Sequence, residues 1–193
     1  MAMTEQQIQG EAWDNVVHSE GTRTIFEDRG RVLKARVKIR DFLSVFVPIV
    51  VAFIYSTDWI AKYPDYKNLA LVLLSIVGVF QVLMSAWSLV SKWDEDLAYS
   101  SRAVRDNYEQ REGWKELAKG QAPDFAHTFT LMKDRQKLID SHDSERDISA
   151  SDRQSGMRAG LILCQRPCVC GIVPQSAKKP LWVRKPCTVC GGN

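Results

Sequence analysis

Five cysteines carry the most distinctive chemistry in this chain. Cys164, Cys168, Cys170, Cys187 and Cys190 all fall within residues 164–193, in "CQRPCVCG" and "KPCTVCG", and a closely spaced pair runs directly into glycine at each end of the tail. Thiols so arranged can form disulfides, exchange electrons or bind a metal as thiolates. Which of these happens depends on the redox compartment, and the compartment has to be read from the rest of the chain.

The 193 residues hold 26 Lys and Arg against 23 Asp and Glu, a formal net charge of +3. That balance is ordinary for a soluble protein, but it hides a segregation. Residues 42–57, "FLSVFVPIVVAFIYST", and 68–91, "NLALVLLSIVGVFQVLMSAWSLVS", carry no charge at all. As a helix the second run would extend ~36 Å, enough for a hydrocarbon core of about 30 Å with some tilt. The first run reaches only ~24 Å. It therefore needs Ile39 and Ile60 at its ends, local thinning of the bilayer, or snorkelling of Arg40.

Trp59, Tyr63 and Tyr66 cluster between the runs, and Trp87 and Trp93 mark the far end, as aromatic rings at headgroup depth would. Two buried helices of a soluble domain would instead need amphipathic partners on every side, and the remaining segments are rich in charge. A secretory signal fits poorly, since some forty mostly polar residues come first and no small-residue cleavage pattern follows. The expectation is a transmembrane hairpin. Arg29, Arg31, Lys34, Arg36, Lys38 and Arg40 precede it, while Asp58 and Asp65 balance Lys62 and Lys67 in the connection. By the positive-inside rule both termini face the cytoplasm.

In that reducing compartment a structural disulfide is disfavoured, and the cysteines read as thiolate ligands of zinc. Gly171 and Gly191 supply the backbone freedom that a tight knuckle requires. Cys187 and Cys190 have the usual two-residue spacer. On the other side, Cys168 and Cys170 are separated by one residue and Cys164 and Cys168 by three, so which four of the five bind is left open. The tail has little core of its own, so metal would supply its folding free energy. Lys178, Lys179, Arg184 and Lys185 around Trp182 could meet phosphate of nucleic acid or lipid headgroups, although a solvated basic loop is the better account of them.

The fold expected is an all-α membrane protein. A cytoplasmic segment, 1–38, ends in a basic amphipathic helix bent near Gly30. Transmembrane helices over 39–61 and 68–91 are joined by an external loop, 62–67. Cytoplasmic helices follow over 92–140, then a linker over 141–163 where apolar residues become scarce, and the zinc-binding tail over 164–193.

No enzyme is expected. His18, His127 and His142 are scattered, and neither a phosphate loop nor a nucleophile motif is present. Within the membrane, Gly78, Gln81, Ser85 and Ser88 fall in an arc of ~80° on the second helix, while Ser44 and Pro48 share a face of the first. These are candidates to line a hydrated pore; the alternative is close helix packing through small residues.

The basic lead-in "RVLKARVKIRDF", the hairpin with "DWIAKYPDYKNLALVLLSIVGV" and the cysteine tail together resemble the SLATT family of two-transmembrane effectors from bacterial conflict systems. The similarity is greatest to its mobile-element group with a CxxC–x11–CxxC tail, and it covers most of the chain. Here the first pair has a one-residue spacer and sixteen residues, 171–186, separate the pairs. The resemblance implies an anti-phage or mobile-element effector that forms a homo-oligomer in the bacterial inner membrane and permeabilises the lipid bilayer when triggered, with a sensor or nucleotide signal as partner. The competing expectation is a membrane-anchored module whose zinc tail recruits a protein or nucleic acid.

Overall fold

The computed structural model describes residues 3–56, 64–122, 124–177 and 187–191. Every regular element among them is helical: α1 Glu5–Ser56, α2 Pro64–Val90, α3 Trp93–Ala118, α4 Phe125–Ser144 and α5 Ala150–Leu163. They form two compact units, Met1–Arg29 with Tyr99–Asn193, and Gly30–Ala98, so that α1 and α3 each contribute to both.

The first unit is a helical bundle. Ile8, Ala12 and Val16 recur every fourth residue on α1, which places them on one helical face. They are buried with Trp114, Leu117 and Ala118 of α3 and Phe129 of α4. Trp114 meets Phe129 edge-on, with ring centroids 5.8 Å apart. Beside this apolar layer lies a polar one in which most buried groups pair with each other, while Asn107 Oδ1, Gln110 Oε1 and Arg23 Nε are buried without a hydrogen-bond partner among the described residues. Gln136 Oε1 accepts from Trp114 Nε1 at 3.1 Å and from Ser19 Oγ at 3.2 Å. Its Nε2 donates to Asp140 at 2.8 Å. Asp143 accepts from the Tyr99 hydroxyl at 2.6 Å and from Asn107 Nδ2 at 3.2 Å.

The same unit departs from the sequence reading in two places. Helix α1 begins at Glu5 and continues through Gly30 without a break, because the bundle buries its first turns. Residues assigned to a linker over 141–163 instead include the end of α4 and the whole of α5. The Ser149 side chain caps α5 by accepting from the Asp152 amide at 3.1 Å, which satisfies one of the unpaired donors of the first turn.

The second unit has its apolar side chains on the outside. Phe42, Val45, Phe46, Ile49 and Phe53 of α1 are exposed, as are Val72, Ile76, Val79, Leu83 and Trp87 of α2. One segment among the described residues, Leu69–Val90, is long and apolar enough to cross a membrane. The described apolar part of α1, 42–56, is shorter than that segment. The connection read as 62–67 is helical from Pro64 onward; Lys62 and Tyr63 of it, and Trp59 and Ile60 before it, lie outside the described residues, as do Lys178, Lys179, Trp182, Arg184 and Lys185 of the tail.

Helix α2 passes into α3 through a two-residue turn at Ser91 and Lys92, the latter with φ of 51°. Arg40 ties this end of the unit together. It donates to Ser88 Oγ at 2.6 Å, to both carboxylate oxygens of Asp94 at 2.6 and 3.1 Å, and to Asp41 at 2.9 Å. Arg36 lies over the Trp93 ring at 5.8 Å.

Candidate metal centre

Two short turns bring four thiols together. The first follows α5, whose end is marked by Gln165 at φ 50°. In it the Gly171 amide donates to the Cys168 carbonyl at 2.7 Å and the Cys168 amide to the Ile172 carbonyl at 2.9 Å. In the second, the Gly191 amide donates to the Cys187 carbonyl at 2.8 Å. Gly171 and Gly191 have φ of 84° and 65°, left-handed values that a Cβ would strain.

The sulfurs of Cys168, Cys170, Cys187 and Cys190 lie within 4.8 Å of one another. Across the two turns, Cys168 and Cys187 are 3.8 Å apart and Cys170 and Cys190 are 3.7 Å apart. All five cysteines are free thiols. Metal–sulfur bonds of about 2.3 Å in a tetrahedron require sulfur separations of ~3.8 Å, so the residues present fit a metal ion. Backbone amides of Cys190 and Val189 point at the Cys187 sulfur and push its thiol down to about 7, which favours the thiolate that a metal takes. Burial pushes Cys168 up, offset in part by the Cys170 amide.

Cys164 stands apart. It caps α5 and packs against both apolar clusters of the bundle, and burial raises its thiol. Spacing left open which four of the five cysteines bind, and the structure places Cys170, not Cys164, with Cys168, Cys187 and Cys190. With a single residue between them, Cys168 and Cys170 turn to the same side, and Val169 is directed outward at 85% exposure.

The tail finds its core in the thiols themselves. Cys168 and Cys190 are buried with Val17 of α1 and Leu161 of α5, and Met157, Cys187 and Val189 pack around them. Ile172 and Val173, which the sequence offered as tail core, are exposed. Sequence reasoning missed Arg158, which reaches from α5 to the carbonyls of Ser176 at 2.7 Å and Cys190 at 3.2 Å. It also missed Gln154, whose amide donates to the Thr188 carbonyl at 3.3 Å. Nothing in their residue types distinguishes them from surface positions.

The pore candidates divide between two environments. On α2, Gly78, Gln81 and Ser85 are half-buried and Ser88 is buried against Arg40, so this is the face drawn in toward the rest of the unit. On α1, Ser44 and Pro48 are exposed, and the Ser44 hydroxyl donates to the Asp41 carbonyl at 2.7 Å. The histidines are dispersed. His18 pairs with Asp140 at 3.1 Å, while His127 and His142 are exposed.

Residues 9–193 match the family of mobilome CxxCx(11)CxxC proteins, and the chain belongs to it. No curated protein and no solved structure matches significantly. The family signature carries two CxxC pairs; this chain carries one CxC and one CxxC, and the four cysteines of those pairs are the four that converge.

Proposed function

We propose that this protein is a membrane effector of a bacterial anti-phage or mobile-element conflict system. It assembles as a homo-oligomer in the inner membrane with both termini in the cytoplasm, and it permeabilises the bilayer on activation. The observation that carries this reading is the apolar exterior of the second unit, where large side chains on both α1 and α2 have no protein cover. Such a surface is stable when lipid solvates it. The basic run from Arg29 to Arg40 supports the cytoplasmic side, and membership of a mobilome family supports the biological setting.

Zinc is the metal proposed for the four thiolates, since soft, four-coordinate sulfur sites without an open position suit structural zinc. In the resting arrangement the Gln81 face of α2 is turned inward. A hydrated path therefore requires α1 and α2 to repack within an oligomer, exposing Gln81 and Ser85 to a shared lumen. Induced expression with a membrane-potential dye tests the reading. Depolarisation that disappears when residues 39–91 are exchanged for an unrelated hairpin is expected; absence of depolarisation under every trigger tried would overturn it.

A second reading has its own support. Because the polar stripe of α2 is half-buried, with Ser88 already held by Arg40, the hairpin also suits a plain anchor, with the zinc tail recruiting a protein or nucleic acid. An anchor tolerates the hairpin exchange, whereas an effector loses activity.

A further inference from the structure

Helix α5 is the middle layer between the cysteine turns and α1, and its two sides are built differently. Gly156 and Gly160 lie one turn apart on the side facing α1. A Cβ at Gly156 would come within 2.6 Å of the Gly21 carbonyl oxygen, and one at Gly160 would strike the carbonyl of Val17. The helices therefore touch backbone to backbone, which only glycine permits. Arg158 and Gln154 lie one turn apart on the opposite side and hold carbonyls of the tail.

Arg158 is 7% exposed. Among the described residues it donates to two main-chain carbonyls, and no ion pair reaches it there. A buried guanidinium is costly once its donors lose their acceptors. Those acceptors are in position only while the cysteine turns are folded: the carbonyl of Cys190 belongs to a metal-ligand candidate itself, and Ser176 follows the first turn. Val17, which meets Gly160, is buried against Cys168 and Cys190 as well.

We propose that Arg158 couples metal occupancy of the four-cysteine site to the docking of α5 on α1. Metal fixes the two turns, the turns present the Ser176 and Cys190 carbonyls to Arg158, and α5 stays seated on Gly21 and Val17. When the metal leaves, the turns release Arg158 to water and no longer cover Val17 beside Gly160, so α5 loosens from α1, the helix that continues into the apolar unit. Arg158 is a positioning residue here, and the inference rests on the reading that the thiolates bind metal.

The test is amide hydrogen exchange on the full chain in detergent micelles, zinc-loaded and after stripping with a high-affinity zinc chelator, alongside metal analysis. For the natural sequence, stripping should speed exchange about tenfold or more over 150–163 and over 14–26. In Arg158→Met, zinc still binds, with affinity lower by roughly tenfold to a hundredfold, the range expected for charged hydrogen bonds. Exchange over 14–26 should then be the same with and without metal. Arg158→Lys, which keeps the charge and can reach one carbonyl, should fall between. Should Arg158→Met fail to accumulate, the stripping experiment on the natural sequence decides alone, with Gln154→Ala as a milder variant expected to weaken zinc binding less. Acceleration confined to 164–191 on stripping would overturn the coupling while leaving the metal reading intact. A zinc content near zero would overturn the metal reading first, and the coupling with it.

Discussion

Phe26 and Phe42 are the same residue on the same helix, yet Phe26 is 1% exposed and Phe42 is 61% exposed. Phe26 packs edge-on against Tyr99 at 5.5 Å, whereas Phe42 stacks on Phe46, one turn along, at 5.1 Å. The contrast extends to whole units. In the first, apolar side chains face inward and polar ones pair with each other; in the second, large apolar side chains face outward and the Arg40 clasp closes one end. One continuous helix therefore serves two kinds of surroundings, protein over its first half and, in the proposed function, lipid over its second.

The sharpest way to break that comparison is to remove the proposed metal ligands. Cys187→Ser with Cys190→Ser should take zinc from one per chain to near zero and unfold the tail, while Cys164→Ser keeps its metal. Structural zinc contributes about 10–16 kcal/mol to the folding of small zinc-dependent peptides, so no other change here should be larger. Unchanged zinc in the double variant, or loss in Cys164→Ser alone, would reverse the ligand assignment.

Next come matched truncations in the two units. Trp114→Ala should cost about 3–5 kcal/mol in chemical unfolding of the purified protein in micelles. Phe42→Ala should cost far less, because detergent already covers that ring. If the two cost the same, the outer surface of α1 is covered by protein, and a second copy is the natural candidate.

Glycines sharpen the contrast further. Gly156→Val should destabilise the bundle by about 1–3 kcal/mol, the usual range for overpacking. At Gly78 a Cβ would meet nothing within 4 Å, so Gly78→Leu should leave the unfolding midpoint in place. Loss of the oligomer by crosslinking or mass photometry in Gly78→Leu would therefore report a contact between copies, not a disturbed monomer.

The smallest effect concerns His18. Asp140 raises its pKa, and both side chains are about half exposed. A raised histidine stabilises fully below its ordinary 6.5 and loses that contribution as pH climbs through its folded value; Asp140, held low by His18 and Gln136 against its burial, loses its own as pH falls through its folded value. His18→Gln should flatten the decline in bundle stability above about pH 6.5, by less than about 1 kcal/mol for so exposed a pair. A slope identical to that of the natural sequence would remove His18 from the account.

The two apolar runs were legible because an unbroken stretch such as 68–91 needs no knowledge of partners. The first turns of α1 were not, since Ile8, Ala12 and Val16 include one small residue among polar neighbours and acquire meaning only when Trp114 and Phe129 meet them. Helix α5 was hidden for the opposite reason: it packs by lacking side chains, and Gly156 and Gly160 in a polar stretch look like a linker. The converging thiols were visible as candidates, but spacing alone could not choose four of the five. What seats Cys168 and Cys170 side by side is the turn at Gly171 together with the burial of Cys168 against Val17 and Leu161, and both come from the fold.

The stretch between the cysteine pairs, 171–186, has sixteen residues where the family signature has eleven. The entropy of closing a loop grows only with the logarithm of its length, so five added residues cost about 0.3 kcal/mol. That is small beside the free energy of a four-thiolate metal site. The spacing within each pair sets angles at the metal, whereas the length between pairs sets almost nothing there. Sequence can therefore be inserted between the pairs at nearly constant stability, which makes this interval the place where members of the family can diverge in what the tail displays while keeping one metal-binding frame.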